Sequence, residues 1–313
     1  MLQKYDGRRV FTRGIAVKRS IWSFVLAGLL LVPPIDVASA QSSDPRTSKP
    51  VATRDMSFRV RAKAALILNM QSGEVLYRKN PMARLSVASI TKLMTAVTLM
   101  NMNPDLSKRI QISRQDVYRA NWTQLKYRER VGVNDLLYAA LISSDNVAAR
   151  VLARVSGLSN KEFVERMNQT AASLGLLNSR FTEPTGLDAG NVSTAVDCAA
   201  LLWTALQNDV LSEVLTTKEF TYSTNRRVHN IKTTNRLLRG DQPDADLWES
   251  VGSKTGYIRK AGYCLVMRAR SQSGDDVIAV VLGGISSRTR FADMRRLLNW
   301  SLHNIGQQEH IGG

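Results

Sequence analysis

Two kinds of apolar run divide this chain, and their order limits its architecture more than any other feature. Ala64-Ala65-Leu66-Ile67-Leu68 is short and continuous, as a buried strand is, and Gln71-Ser72-Gly73 turns the chain into Glu74-Val75-Leu76-Tyr77, which predicts a hairpin. Strand-like runs return only near the other end, at Ala261 to Arg270 and Val277 to Leu282, on either side of a turn at Gly274-Asp275. The middle is mostly helical in pattern. Leu93 to Met102 and Leu136 to Ile142 are apolar on nearly all sides, and Lys161 to Leu174 is amphipathic, as is a final stretch from about Phe291 to Ile305. Strands at both ends with helices between predict one sheet built from both termini and covered by helices, an α/β or α+β sandwich. There is no internal repeat and no low-complexity segment.

The N-terminus carries an export pattern. Lys4, Arg8, Arg9, Arg13, Lys18 and Arg19 precede an apolar run from Ile21 to Val32, followed by Pro33-Pro34 and the small residues Ala38-Ser39-Ala40. That order describes a secretory signal peptide over residues 1–40, cleaved after Ala40 and delivering the chain to the periplasm. As a retained helix the apolar run would rise only about 18 Å, short of the roughly 30 Å hydrocarbon core. Residues 41–57 are polar and read as a flexible linker. A single catalytic domain is expected over 58–306, with a short tail at 307–313.

Composition narrows the function classes. The 313 residues are 44% hydrophobic, enough for one large core or two small ones, and the net charge is +17. Removing residues 1–40, with six basic and two acidic side chains, leaves +13. The charge is spread along the chain, and no basic tract interleaved with aromatics stands out, so nucleic acid is not the expected partner. An anionic wall polymer or a loose membrane association suits the charge equally well. Cys198 lies in an apolar helical stretch and Cys264 in an apparent strand, so buried free thiols are expected rather than a disulfide. The three histidines, His229, His303 and His310, have no metal-ligand spacing, and a Ser-His-Asp triad is hard to build from them. No cofactor is implied, and no oligomeric state is fixed.

Three short motifs carry the chemistry. Ser89-Ile90-Thr91-Lys92 opens the first apolar helix, and the i, i+3 spacing puts hydroxyl and amine on one helical face. A lysine takes a serine proton only if its pKa falls from about 10.4, by burial or a second cation. The bland alternative, a helix cap followed by a solvated lysine, conflicts with a helix apolar all round. Ser144-Asp145-Asn146 follows the second apolar helix, and Lys254-Thr255-Gly256 precedes a strand. Each triplet alone is weak. Together and in this order they form the set known from β-lactamases and penicillin-binding proteins.

Over about Ala64 to Ile305 the sequence resembles the low-molecular-mass penicillin-binding proteins, the D-alanyl-D-alanine peptidases. Beyond the triplets, the match covers Ala88 to Ala96, Pro184-Thr185-Gly186-Leu187 and Asn235-Arg236-Leu237. Asn191 to Ala195, Lys254 to Ile258 and Ala261 to Met267 are most similar to the D-alanyl-D-alanine endopeptidase branch. The resemblance implies a sandwich of the serine β-lactamase type, with an antiparallel sheet from both termini and a helical subdomain. It implies that Ser89 forms an acyl-enzyme with peptidoglycan peptide stems, that Lys92 accepts its proton and that Ser144 relays a proton to the leaving amine. Asn146 would hold the substrate's peptide carbonyl, and Lys254 with Thr255 its carboxylate, Lys254 also lowering the pKa of Lys92. The N–H groups of Ser89 and Tyr257 would form the oxyanion hole, and Arg288 would help bind a carboxylate. Gly256 is expected to leave room for the substrate strand. β-Lactam antibiotics would be covalent inhibitors.

Three alternatives stand beside this. A β-lactamase of the class with a deacylating glutamate would use Glu183, but needs an asparagine where Leu187 stands. A non-catalytic wall-binding protein would have no reason to keep Ser89, Lys92, Ser144 and Lys254. A carboxypeptidase removing terminal D-alanine is nearest in chemistry. Its family members usually add a β-rich domain and an amphipathic membrane helix, and this sequence runs only about 57 residues past its K-T-G motif, which favours the endopeptidase.

Overall fold

A computed structural model of the chain describes residues 59–239 and 247–309, with the side chains of 306–309 excepted. The segments expected to be signal peptide and linker, and the last residues of the expected tail, therefore lie outside the described residues. All of the described residues fall within one compact unit, 50–313.

The strands from the two ends do meet. β1 (Ala64–Asn69) and β2 (Val75–Lys79) form the expected hairpin at one edge of a five-stranded sheet. The other three strands are β9 (Trp248–Ile258), β10 (Gly262–Ser271) and β11 (Asp276–Gly284), in the order β2-β1-β11-β10-β9 with every neighbour antiparallel. Apolar residues on one face, among them Ile67, Leu265, Met267, Ala279 and Val281, pack against Met294, Leu297, Leu298 and Leu302 of the last helix. At roughly 25 cal/mol per Å² of buried apolar area, a layer of this kind is the main term holding the two ends of the chain together.

The intervening chain forms the helical part and three small strand pairs. In chain order it holds β3 (Leu85–Ser86), α1 (Thr91–Met100), β4 (Arg109–Gln111), α2 (Arg114–Val117), β5 (Arg130–Gly132) and α3 (Val133–Leu141). There follow α4 (Asn146–Val155), α5 (Asn160–Ser173), β6 (Val192–Ser193), α6 (Ala195–Ala205), α7 (Asp209–Thr216), β7 (Glu219–Ser223) and β8 (Val228–Lys232). The last helix is α8 (Ser287–Glu309). α1 is buried from Thr91 to Leu99, as its all-round apolar pattern requires, and ends at Met100 rather than Met102. Ser159 caps α5 with a complete capping box to Glu162, fixing where that helix starts. Among the described residues no helix is long and apolar enough to cross a membrane.

One sequence expectation needs correction here. Lys254-Thr255-Gly256 does not precede a strand but lies inside β9. This strand is at the sheet edge and holds few apolar residues, so it lacks the run by which β1 and β11 announce themselves. Cys198 and Cys264 are both buried free thiols, and burial pushes both of their pKa values up, Cys264 to about 11.

Candidate active site

Ser89 sits in a single 3-10 turn, Ala88–Ile90, directly before α1, with Ala88 at φ +49°. Two glycines clamp that turn. A Cβ on Gly186, whose φ is +84°, would lie 2.1 Å from the Ala88 carbonyl oxygen, and one on Gly256 would lie 2.6 Å from the Val87 carbonyl oxygen and 3.1 Å from the Ser89 nitrogen. Gly256 is therefore required by the backbone carrying Ser89, a constraint beyond the room for a substrate strand that the sequence suggests. The same contact brings the Ser89 amide against β9, beside Tyr257.

Lys92, the second residue of α1 and one turn on from Ser89, is 1% exposed, which excludes a solvated lysine. Its Nζ lies 3.0 Å from Ser89 Oγ, 2.7 Å from Asn146 Oδ1 and 2.6 Å from the Thr185 carbonyl oxygen. The two carbonyls can only accept, so they take two N–H groups. A neutral amine has one lone pair left, and it faces the Ser89 hydroxyl. Burial lowers the Lys92 pKa to about 7, helped by Arg150 and opposed by Glu183 and Asp145.

The second motif is set by Asp145. Its buried carboxylate caps α4 through Ala148 N–H and also accepts from Thr123 Oγ and Gln124 N–H, tying the 121–124 segment to the site. Burial raises the Asp145 pKa against these bonds. Asn146 then points its oxygen at Lys92 and donates from Nδ2 to the Asn121 carbonyl at 2.8 Å. Ser144, forced to φ +63°, accepts from Lys254 Nζ at 2.9 Å. Lys254 is 1% exposed and also donates to the Thr255 carbonyl at 3.2 Å. Its pKa is pushed down by burial first, then by the charges of Lys92 and Arg290. Burial, rather than Lys254, is thus the main cause of the low Lys92 pKa. The Thr255 hydroxyl bonds the Thr234 hydroxyl at 2.6 Å.

The structure gathers Ser89, Lys92, Ser144, Asn146, Lys254, Thr255, Gly256 and the backbone of Tyr257 in one place. Arg288, in contrast, is exposed at the start of α8. The buried cation of that turn is Arg290, whose Nη1 donates to the Gly256 and Cys264 carbonyls at 3.2 Å and whose guanidinium stacks over Tyr263 and Phe291. No motif marks Arg290; its single signal is its place two residues past Arg288 in a helix with an apolar stripe. Glu183 is used up in its own loop, accepting from Thr185 N–H, Thr185 Oγ, Gly186 N–H and Asn191 Nδ2 at 2.5 to 2.7 Å. A carboxylate so saturated has little left with which to activate water.

An antiparallel sheet with a helical part, and a serine and lysine joined inside it, define a serine acyl-transfer enzyme, and comparison with known proteins makes this specific. The chain belongs to the D-alanyl-D-alanine carboxypeptidase family of serine peptidases, whose model matches residues 48–286. It is 34% identical over 280 residues to a D-alanyl-D-alanine endopeptidase of Pseudomonas aeruginosa, covering 88% of this chain and 87% of the relative. To the D-alanyl-D-alanine endopeptidase of Escherichia coli it is 33% identical over 281 residues, covering 88% and 86%. Among solved structures, the Streptomyces K15 DD-transpeptidase superposes with a TM-score of 0.70 at 29% identity, over 77% of this chain and 97% of that one.

Proposed function

We propose that this DD-peptidase is a periplasmic D-alanyl-D-alanine endopeptidase that opens peptidoglycan cross-links through an ester on Ser89. The carrying observation is the position of Lys92 Nζ, 3.0 Å from Ser89 Oγ with the Asn146 and Thr185 carbonyl oxygens as its other partners, so that in the neutral amine the lone pair is left for Ser89. Lys92 takes the Ser89 proton as Oγ attacks the D-alanine carbonyl. The oxyanion is met by the N–H groups of Ser89 and Tyr257. The C–N bond breaks, the leaving amine takes a proton through Ser144, and water then hydrolyses the ester to free the carboxylate and restore Ser89. Lys254 and Thr255 hold the substrate carboxylate, and an anion arriving there offsets the burial and like-charge repulsion that lower the Lys254 pKa. Asn146 holds the peptide carbonyl. Arg290 braces the strand that carries Lys254 through the Gly256 carbonyl.

Endopeptidase and carboxypeptidase share these steps and differ in the leaving amine, a neighbouring stem's side chain or a terminal D-alanine. The two relatives named endopeptidase support the first. Residues 1–40 serve as the export signal, peptidoglycan stems are the substrate, and β-lactams acylate the same serine. Purified mature protein incubated with cross-linked muropeptide dimers and with monomeric pentapeptide, followed by mass, tests the choice. Dimers should fall to monomers. Loss of terminal D-alanine with dimers intact would reverse it.

A further inference from the structure

The 114–130 segment runs Arg114, Tyr118, Arg119, Trp122, Lys126, Tyr127, Arg128, Arg130, so a basic tract interleaved with aromatics is present after all. Trp122 is 77% exposed and Tyr118 64%, among the most exposed of the described large apolar side chains. Burying such rings is the ordinary outcome of folding, and two of them four residues apart, both left in water, point to a contact surface. The backbone here is also unusual. Arg119 and Trp122 have φ of +48° and +52°, the left-handed region, where a bulky residue is a genuine outlier.

What holds Trp122 in that state is the active site. Its carbonyl accepts from Asn146 N–H at 3.2 Å, its neighbours Thr123 and Gln124 are fixed by Asp145, and Asn121 receives Asn146 Nδ2. Further along, Lys126 N–H is held by Glu129, a buried carboxylate paired with Arg227 of the β7–β8 hairpin. The ring of Trp122 therefore rises from a fixed backbone one hydrogen bond from Asn146, itself one from Lys92. Tyr118 carries the Arg119 guanidinium 5.2 Å above its ring and borders a groove of about 1120 Å³ also lined by Pro184 and Leu187, which flank Thr185, whose carbonyl holds Lys92.

We propose that Trp122, with Tyr118 and the arginines around it, is a stacking platform for the sugar rings of the glycan strand that carries the peptide stem. This rests on the peptidoglycan substrate proposed above. The cleft at Ser89 takes the peptide, and the glycan to which that peptide is attached must lie outside the cleft, where the Trp122 rim stands. A pyranose ring offers a flat C–H face with hydroxyls at its rim. An indole face matches the first, and arginine N–H groups match the second and any stem carboxylate. A rigid aromatic on a fixed backbone also gives up little conformational freedom on binding. Trp122 is then a specificity-determining residue that separates intact wall from loose peptide.

Wild type, W122A and W122F should be assayed on a cross-linked muropeptide dimer bearing its disaccharides and on the same dimer stripped of sugars. W122A should lose about tenfold in kcat/KM on the sugar-bearing dimer, through KM, while the stripped dimer changes less than twofold. W122F should recover most of the loss. Equal losses on both dimers, or none on either, would overturn the proposal. In the S89A background, W122A should weaken calorimetric binding of a peptide-free glycan tetrasaccharide by a similar factor. That measurement needs no cleavage, so it separates failure of the platform from failure of the endopeptidase assignment. Loss of binding to phosphatidylglycerol vesicles with tetrasaccharide affinity unchanged would make the patch a membrane contact and contradict the platform.

Discussion

At the scale of single residues, the protonation of Lys92 decides whether Ser89 can react. With its pKa lowered to about 7, the amine is protonated below that pH and neutral above it. Acylation by benzylpenicillin, measured as a second-order constant of the free enzyme, should therefore rise about tenfold per pH unit below 7 and level off above it. A limb centred near 10 instead would show that burial does not depress this amine. Lys92→Arg keeps the charge but does not deprotonate, and should lower acylation by at least about 10³-fold at every pH while the fold survives. The burial of Lys92 was legible in advance, because a helix apolar on all sides leaves its lysine nowhere to go. Arg290 was not. A lone arginine has no spacing to mark it, and only the close approach of α8 to β9 shows that it, rather than Arg288, lies beneath the site.

Among elements, the position of Ser89 depends on two neighbours pressing on one turn. Gly186→Ala combines a left-handed φ with a backbone clash and should cost at least about 2 kcal/mol in urea unfolding; Gly256→Ala, with a clash alone, should cost about 1–3 kcal/mol. Both should slow acylation by more than their stability loss explains. Melting and acylation at wild-type values would show that the turn is not clamped. The sequence carried the hairpin of β1 and β2 clearly, since continuous apolar runs between turn residues have few other uses. It carried β9 and the β7–β8 hairpin poorly. β9 gives its residues to the cleft, and β7 and β8 alternate buried and exposed positions with few aliphatics, so periodicity had little to register.

For the whole molecule, a sheet closed by strands from both ends serves one purpose, placing β9 at the edge where the helical part presents Ser89, Lys92 and Ser144 to Lys254. The three motifs lie far apart in sequence but converge because their elements pack on one another, and this could be read beforehand only through their order and their joint occurrence. The rim at Tyr118 and Trp122 escaped such a reading, since exposure belongs to the folded chain. The central claim is that Ser89, activated by Lys92, is the acylated nucleophile. Its most direct test is mass spectrometry of the protein after brief exposure to benzylpenicillin, with peptide mapping of the adduct. One adduct per chain should form on Ser89, persist for minutes or longer, and vanish in Ser89→Ala. No adduct, an adduct on another residue, or rapid release as hydrolysed drug would contradict it.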